Sequence, residues 1–381
     1  MKTHSPFCLL GFVITCFMLF PSCEKQTQIR PNIVFLLADD LGYNEIGAYG
    51  QKIIKTPNLD KLAKQSMRFT DFYAGNSVCS PSRAVLLTGV SSAYVPIRGN
   101  AGYFGKDDWS PTWLESNTFT FGELFKSAGY QSAFVGKWHL DNPDDISTWA
   151  CSHRFDFAAQ EQWTHRKSIR NFSKGGIWLN GDQKHFPYDF NNHECKDAFY
   201  TNFAIDFLDN KESDKPFFLF MSYRAPHSFE GPIRDTLDYV KRDWPKVEQA
   251  QAAKITLQDK QVGRLLDYLE SIGEMDNTIV MYTSDNGGHF GADGKGHQLE
   301  FFDSNGNLTA FSGANTITGQ SSSATGTPST STSTVDSVAF TSGYNAGEIT
   351  ADEGDIMYVE NRSPITRAAD QTENVKLIIE F

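Results

Sequence analysis

The chain has 381 residues, 40% apolar and 13% aromatic, enough to bury a sizeable core in one large domain or two of ordinary size. Its net charge of −12 excludes binding nucleic acid through the phosphate backbone, which needs clustered Lys and Arg. A small anion is not excluded, because a local basic pocket can hold one inside an acidic molecule.

Residues 1–23 read as a lipoprotein signal peptide. Lys2 and His4 precede an apolar run from Phe7 to Phe20 that is short for a bilayer crossing, and Pro21-Ser22-Cys23 follows. The small Ser22 before Cys23 resembles a bacterial lipobox, so Cys23 is expected to carry lipid, with Glu24 to Arg30 as a tether. The expected location is therefore the bacterial envelope, in the periplasm or as an outer-membrane lipoprotein. Cys79, Cys151 and Cys195 remain after the signal is removed. Cys151 and Cys195 either form a disulfide or stand as separate buried thiols, and Cys79 has no evident partner.

From Pro31 onward short β-branched or aromatic runs alternate with longer amphipathic ones. Ile33 to Ala38 is a continuous apolar strand. Thr56-Pro57 opens a helix whose apolar face is Leu59, Leu62, Ala63 and Met67. Met67 to Tyr73 is strand-like, and Cys79 then stands at a helix start. Thr120 to Ala128 reads as a helix with Thr120 and Glu123 at capping-box spacing. Further on, Gln131 to Val135, Pro216 to Tyr223 and Thr278 to Thr283 read as strands, and Ala198 to Leu208 and Val247 to Ile272 as helices. This rhythm, across a domain spanning 24–308, predicts an α/β fold with a mostly parallel sheet flanked by helices on both faces. Residues 309–334 form a Ser/Thr-rich linker too poor in apolar groups to fold alone. Residues 335–381 regain a strand-like alternation at Ile356, Tyr358, Val375, Leu377 and Ile379. From Gly347 on, this tail faintly resembles a tailed-phage structural protein.

In such sheets ligands gather at the carboxyl ends of the strands. Asp39-Asp40, Lys137-Trp138-His139, His227 and Asp285-Asn286 all follow strand candidates. Asp39, Asp40, Asp285 and Asn286 supply three carboxylates and an amide oxygen, a set that suits Ca²⁺ or Mg²⁺ better than zinc. Taken singly, each pair also reads as a cap or an Asx-Gly turn. Cys79 opens its helix with Pro81 in the first turn and Arg83 one turn on, so dipole and guanidinium both favour an anion there.

Cys79-Ser80-Pro81-Ser82-Arg83-Ala84, followed by Leu87-Thr88-Gly89, resembles the signature of the type I sulfatases. Arg30-Pro31-Asn32-Ile33-Val34, Ala38-Asp39-Asp40-Leu41-Gly42 and Thr56-Pro57-Asn58-Leu59-Asp60 are similar to that family's opening block. Gly136-Lys137-Trp138-His139-Leu140, Ala225-Pro226-His227 and Ser284-Asp285-Asn286-Gly287-Gly288 match later blocks in order. The resemblance runs from Arg30 to about Leu308 and implies an alkaline-phosphatase-like fold and cleavage of aryl or carbohydrate sulfate esters.

It also implies a chemistry. A formylglycine-generating or anaerobic sulfatase-maturating enzyme would convert Cys79 to formylglycine, whose hydrated aldehyde carries two hydroxyls. One, activated by the metal, would attack sulfur and release the alcohol. The other, deprotonated by His139, would expel sulfate. Asp39, Asp40, Asp285 and Asn286, with the modified Cys79, would hold the metal, and Arg83 would steady the formylglycine. Lys137 and His227 would grip the sulfate and protonate the leaving oxygen.

The chain departs from the family pattern in two places. Thr88 to Tyr94 lacks the histidines of many relatives, and after Leu308 the expected lysine-bearing segment and C-terminal subdomain do not follow. His289 and His297 match no block and are not assigned. Two other readings stay open: a phosphate or phosphonate ester hydrolase of the same superfamily, and an inactive protein that only binds sulfated ligands.

Overall fold

The computed structural model describes residues 30–305, apart from 70–71, 104–108, 111, 143, 162–175, 182–184, 190, 228–236 and 290–295, together with 317–318 and 325–326. The expected signal peptide, most of the linker and the tail fall outside the described residues. Residues up to Pro31 form one unit and Asn32–Phe381 another, and the fold below belongs to the second. Among the described residues no helix is long and apolar enough to cross a membrane.

The continuous apolar runs become the middle of a sheet because a strand covered on both sides needs apolar residues at odd and even positions alike. Strands β1 (Asn32–Asp39), β4 (Gln131–Lys137), β5 (Phe157–Glu161), β8 (Phe217–Pro226) and β9 (Thr278–Ser284) are mutually parallel, in the order β5-β4-β8-β1-β9. The short strands β6 (Gly176–Leu179) and β7 (His185–Pro187) extend the β5 edge antiparallel. A separate two-residue ribbon pairs β2 (Gly102–Tyr103) with β3 (Trp109–Ser110).

Helices α1 (Pro57–Lys64), α2 (Cys79–Thr88), α3 (Phe121–Ser127), α4 (Lys196–Asn210) and α5 (Lys246–Ser271) cover the two faces. Val34, Leu36 and Ala38 of β1 point into a core with Phe207 of α4 and Ile255, Val262 and Leu265 of α5. Phe35 and Leu37 point the other way, to Phe134, Phe218 and Phe220, under Ala84 and Leu87 of α2 and Phe121 and Phe125 of α3. The period-two alternation thus buries both faces of one strand. At α3 the capping box is present: the Gly122 amide donates to Thr120 Oγ1 and the Thr120 amide donates to Glu123 Oε2.

The structure corrects several expectations. Met67 lies beyond the end of α1 and is 80% exposed, so it is not part of that helix's apolar face. Residues 67–69 and 72–73 are not a strand, because no neighbouring strand pairs with them among the described residues. Cys151 and Cys195 form no disulfide and stand as separate thiols, Cys195 buried as expected and Cys151 only half-buried. The strands β5, β6 and β7 had no clear periodic signal, being short and at or near the sheet margin.

Candidate active site

The parallel sheet brings its carboxyl ends to one edge, and the polar residues that follow the apolar runs meet there. Asp39 ends β1, Lys137 ends β4, His227 follows β8 and Asp285 follows β9. Cys79 is the first residue of α2, 5% exposed, with its Sγ 3.6 Å from Asp40 Oδ1. Asp40 and His139 both adopt left-handed backbone, at φ 63° and 59°, where non-glycine residues carry strain, and both stand at this site.

The side chains form one buried charge network. Lys137 Nζ donates to both Asp39 oxygens at 2.6 and 2.7 Å. Arg83 Nε donates to Asp285 Oδ2 at 2.9 Å, and its terminal nitrogens reach Asp39 Oδ1, the Lys137 carbonyl and Ser222 Oγ. The Asp40 amide donates to Asp285 Oδ1 at 3.1 Å, and Asn286 Nδ2 donates to Asp40 Oδ1 at 2.7 Å. His227 Nε2 lies 3.6 Å from Asp40 Oδ2. Asp39, Asp40, Cys79 and His227 each offer a donor atom within 4.8 Å of the others. Asp285 and Asn286 stand against this group through Asp40.

Electrostatics follow from the packing. Burial opposes ionisation of Asp39, yet Lys137, His227, Arg83 and Arg224 hold its carboxyl well below the usual range. Asp40 is pushed up by burial and by the neighbouring Asp39 charge. Burial also drives Asp285 up to about 7, against the pull of Arg83. His139 is held well below its ordinary value by burial and then by Lys137 and Arg83, and His227 likewise by burial and Arg224. Both imidazoles are therefore neutral near neutral pH. The Cys79 thiol is pushed far up by burial and by Asp39, so it keeps its proton.

These residues fit a hard divalent cation. Three buried carboxyl groups crowd together, and burial and like charge raise two of them, a conflict that a bound cation would relieve. Asn286 Oδ1 is buried and makes no hydrogen bond within the described structure, as expected of an amide oxygen suited to ligation. All four oxygen-bearing side chains named from the sequence are present at this edge.

Sequence reasoning missed Arg224. Its guanidinium is buried between Asp39 Oδ2, at 3.1 Å, and Glu161 Oε2, at 3.8 Å, and Lys196 pairs with Glu161 at 3.1 Å. The available signal was an arginine within the otherwise apolar run Phe217–Ala225. His289 was also left unassigned, and its exposed ring lies parallel to that of His227, with centroids 6.3 Å apart.

A mostly parallel sheet flanked by helices, with buried acids, histidines and a helix N-terminus at its carboxyl edge, defines a protein of the α/β class. Residues 31–309 match the family model described as Sulfatase, and the chain belongs to the sulfatase family. Residues 323–381 match a model described as Bacteriophage T4, Gp8. The chain is 31% identical over 276 residues to N-acetylgalactosamine-6-sulfatase of Homo sapiens, covering 68% of this chain and 50% of that protein. It is 26% identical to N-acetylglucosamine-6-O-sulfatase of Bacteroides thetaiotaomicron, covering 77% of this chain and 64% of the relative. The crystal structure of Ps i-CgsB in complex with k-i-k-neocarrahexaose superposes with a TM-score of 0.56 at 26% identity, covering 68% of this chain and 59% of that one. The chain thus spans about half the length of the mammalian sulfatases it matches.

Proposed function

We propose that the protein hydrolyses sulfate esters of carbohydrates. The observation that carries this reading is the environment of Cys79. It opens a ten-residue helix beside Arg83 and against Asp40, yet burial and Asp39 keep its thiol protonated, so the unmodified cysteine is a poor nucleophile. A cysteine held this way suits conversion to another group. Formylglycine at position 79 would supply, through its hydrated aldehyde, the oxygen that attacks sulfur. A divalent cation, Ca²⁺ or Mg²⁺, held by Asp39, Asp40, Asp285 and Asn286 would supply positive charge at that centre.

The chain's own residues do the rest. Arg83 fixes the carboxylates around position 79 and Lys137 contributes a buried positive charge for the sulfate oxygens. His139, neutral, is able to accept a proton from the group at position 79. Lys137 is the charged donor for the leaving oxygen, and neutral His227 supports it through an N–H. The named activities of the human and Bacteroides relatives, both on amino-sugar 6-sulfates, support a carbohydrate substrate. The lipobox-like Ser22-Cys23 supports anchoring at the envelope, with a maturation enzyme as the partner that modifies Cys79.

Mass spectrometry of the peptide carrying Cys79, after coexpression with a formylglycine-generating enzyme, tests the reading together with turnover of an aryl sulfate and an aryl phosphate. Conversion of Cys79 and preferential sulfate release are expected. Cys79→Ala abolishes the activity, and so does Asp285→Ala. An unmodified cysteine, or faster phosphate release, overturns the proposal.

A further inference from the structure

Four side chains with no role above, Glu45, Glu248, His297 and Ser304, form a buried cluster in which none is more than 2% exposed. His297 Nδ1 lies 2.5 Å from Glu248 Oε2, and its Nε2 lies 2.8 Å from Ser304 Oγ and 3.4 Å from Glu45 Oε1. Ser304 Oγ donates to Glu45 Oε1 at 2.9 Å, and Gln251 of α5 donates to the same oxygen. The outline is that of a Ser–His–Glu triad, but the chemistry is not. The serine proton already goes to Glu45, and the hydroxyl is fully buried. The cluster does not form a metal site either, because the two carboxylates engage opposite nitrogens of the ring and so do not converge. An imidazolium shared by two carboxylates satisfies every contact. Burial opposes that charge, yet hydrogen bonds to Glu248 and Glu45 raise His297 to about 9.

What the cluster holds is the pair of loops at the cation site. Glu45 Oε2 accepts the Gly42 amide at 2.9 Å, and the Asn44 amide donates to the Ser304 carbonyl at 3.1 Å. A Cβ on Gly42 would stand 2.1 Å from that carbonyl oxygen, so only glycine permits the approach. One residue on, Asn305 Oδ1 accepts the Gly288 amide at 2.8 Å. The turn at 303–305 therefore braces the loop that follows Asp40 and the loop that follows Asn286. His297 ties this turn to α5, since Glu248 Oε1 also accepts the Gln298 amide.

We propose that His297 is a positioning residue for the cation site, joining Glu45, Glu248 and Ser304 so that the loops bearing Asp40 and Asn286 keep their spacing. This rests on the reading of those residues as cation ligands. The groups facing the ring are Glu45 from the 3₁₀ turn Tyr43–Glu45, Glu248 with Gln251 behind it from α5, Ser304, and the stacked ring of Phe302.

The test is calorimetric titration of the full chain with calcium chloride, for the wild type and His297→Gln, across near-neutral to alkaline pH. The variant is expected to bind calcium about tenfold more weakly near neutrality, the lower end of what lost support around a metal ligand costs. The wild type's advantage over the variant is expected to shrink as pH rises through about 9, because only the wild type loses the His297 charge there. Should His297→Gln not fold, Ser304→Ala, which leaves the His297–Glu248 pair intact, shows a smaller loss in the same direction. Equal affinities with parallel pH profiles overturn the inference and leave the cation site standing. A wild type that binds no calcium overturns both.

Discussion

Cys79 shows how little a motif residue means without its surroundings. The same thiol in water would be partly ionised at mildly alkaline pH, whereas here burial and Asp39 hold the proton on. Arg224 makes the complementary point, since its effect is exerted through Asp39 and Glu161. Arg224→Met leaves Asp39 with Lys137 and Arg83 but strips Glu161 of one of its two cations, and is expected to destabilise by about 3 kcal/mol in urea unfolding. Gly136 has φ 106°, and a Cβ there would meet the Ser222 carbonyl oxygen at 1.9 Å. Gly136→Ala should therefore displace Lys137, lower the melting temperature and, on the function proposed above, slow turnover of an aryl sulfate. His297 carries a pH dependence of its own. Its folded pKa of about 9 exceeds the ordinary 6.5, so its contribution to stability is complete below 6.5 and lost as pH rises through 9. The urea midpoint of the wild type should fall over that alkaline interval, and that of His297→Gln should fall less.

At the scale of elements, local chemistry explains the helices and tertiary packing explains the strands. Thr120 and Glu123 specify the start of α3 by themselves, and Thr120→Ala should cost about 1 kcal/mol by loss of the cap. In β8, Phe220 stacks on Phe35 at 5.1 Å and on Phe134 at 5.5 Å, joining the three central strands β4, β8 and β1. Phe220→Ala is expected to cost about 3–5 kcal/mol, read from denaturant unfolding, since the surrounding rings cannot collapse into the gap. The expected strand at Met67–Tyr73 fails, in its described residues 67–69 and 72–73, for the opposite reason. Its aromatic content is strand-like, but Phe69 and Phe72 are more than half exposed, and pairing rather than propensity decides a strand. The long apolar runs at β1 and β8 were readable because burial on both faces leaves an unbroken signature. The margin strands β5, β6 and β7 were not, because three to five residues carry too few alternations to stand out.

At the scale of the whole molecule, an acidic chain holds a local cluster of buried cations. The net charge of −12 is spread over the chain, while Lys137, Arg83 and Arg224 converge around Asp39 at the carboxyl edge of the sheet. Among the described residues β9 is the last strand at its side of the sheet, and Ile279 and Met281 on its open face are 48% and 40% exposed. An apolar edge of this kind invites pairing with another strand. Met281→Lys should accordingly lower concentration-dependent self-association measured by light scattering.

The sequence by itself determined the family and the order of the α/β elements, and it named Cys79, Arg83, the three aspartates, Asn286, Lys137, His139 and His227 as candidates, because each sits in a contiguous block whose residue types carry the chemistry. Only the tertiary structure decided that Arg224 and Glu161 join the site and that His297 braces it. Their roles arise from polar groups distant in the chain being brought into contact where water is excluded: Glu161 and Arg224 lie 63 positions apart, and Glu45 and Ser304 lie 259 apart. The protonation states were likewise a matter of burial. Asp285 and Asp39 are the same residue type, yet packing lifts one to about 7 and surrounding cations hold the other well below its ordinary value.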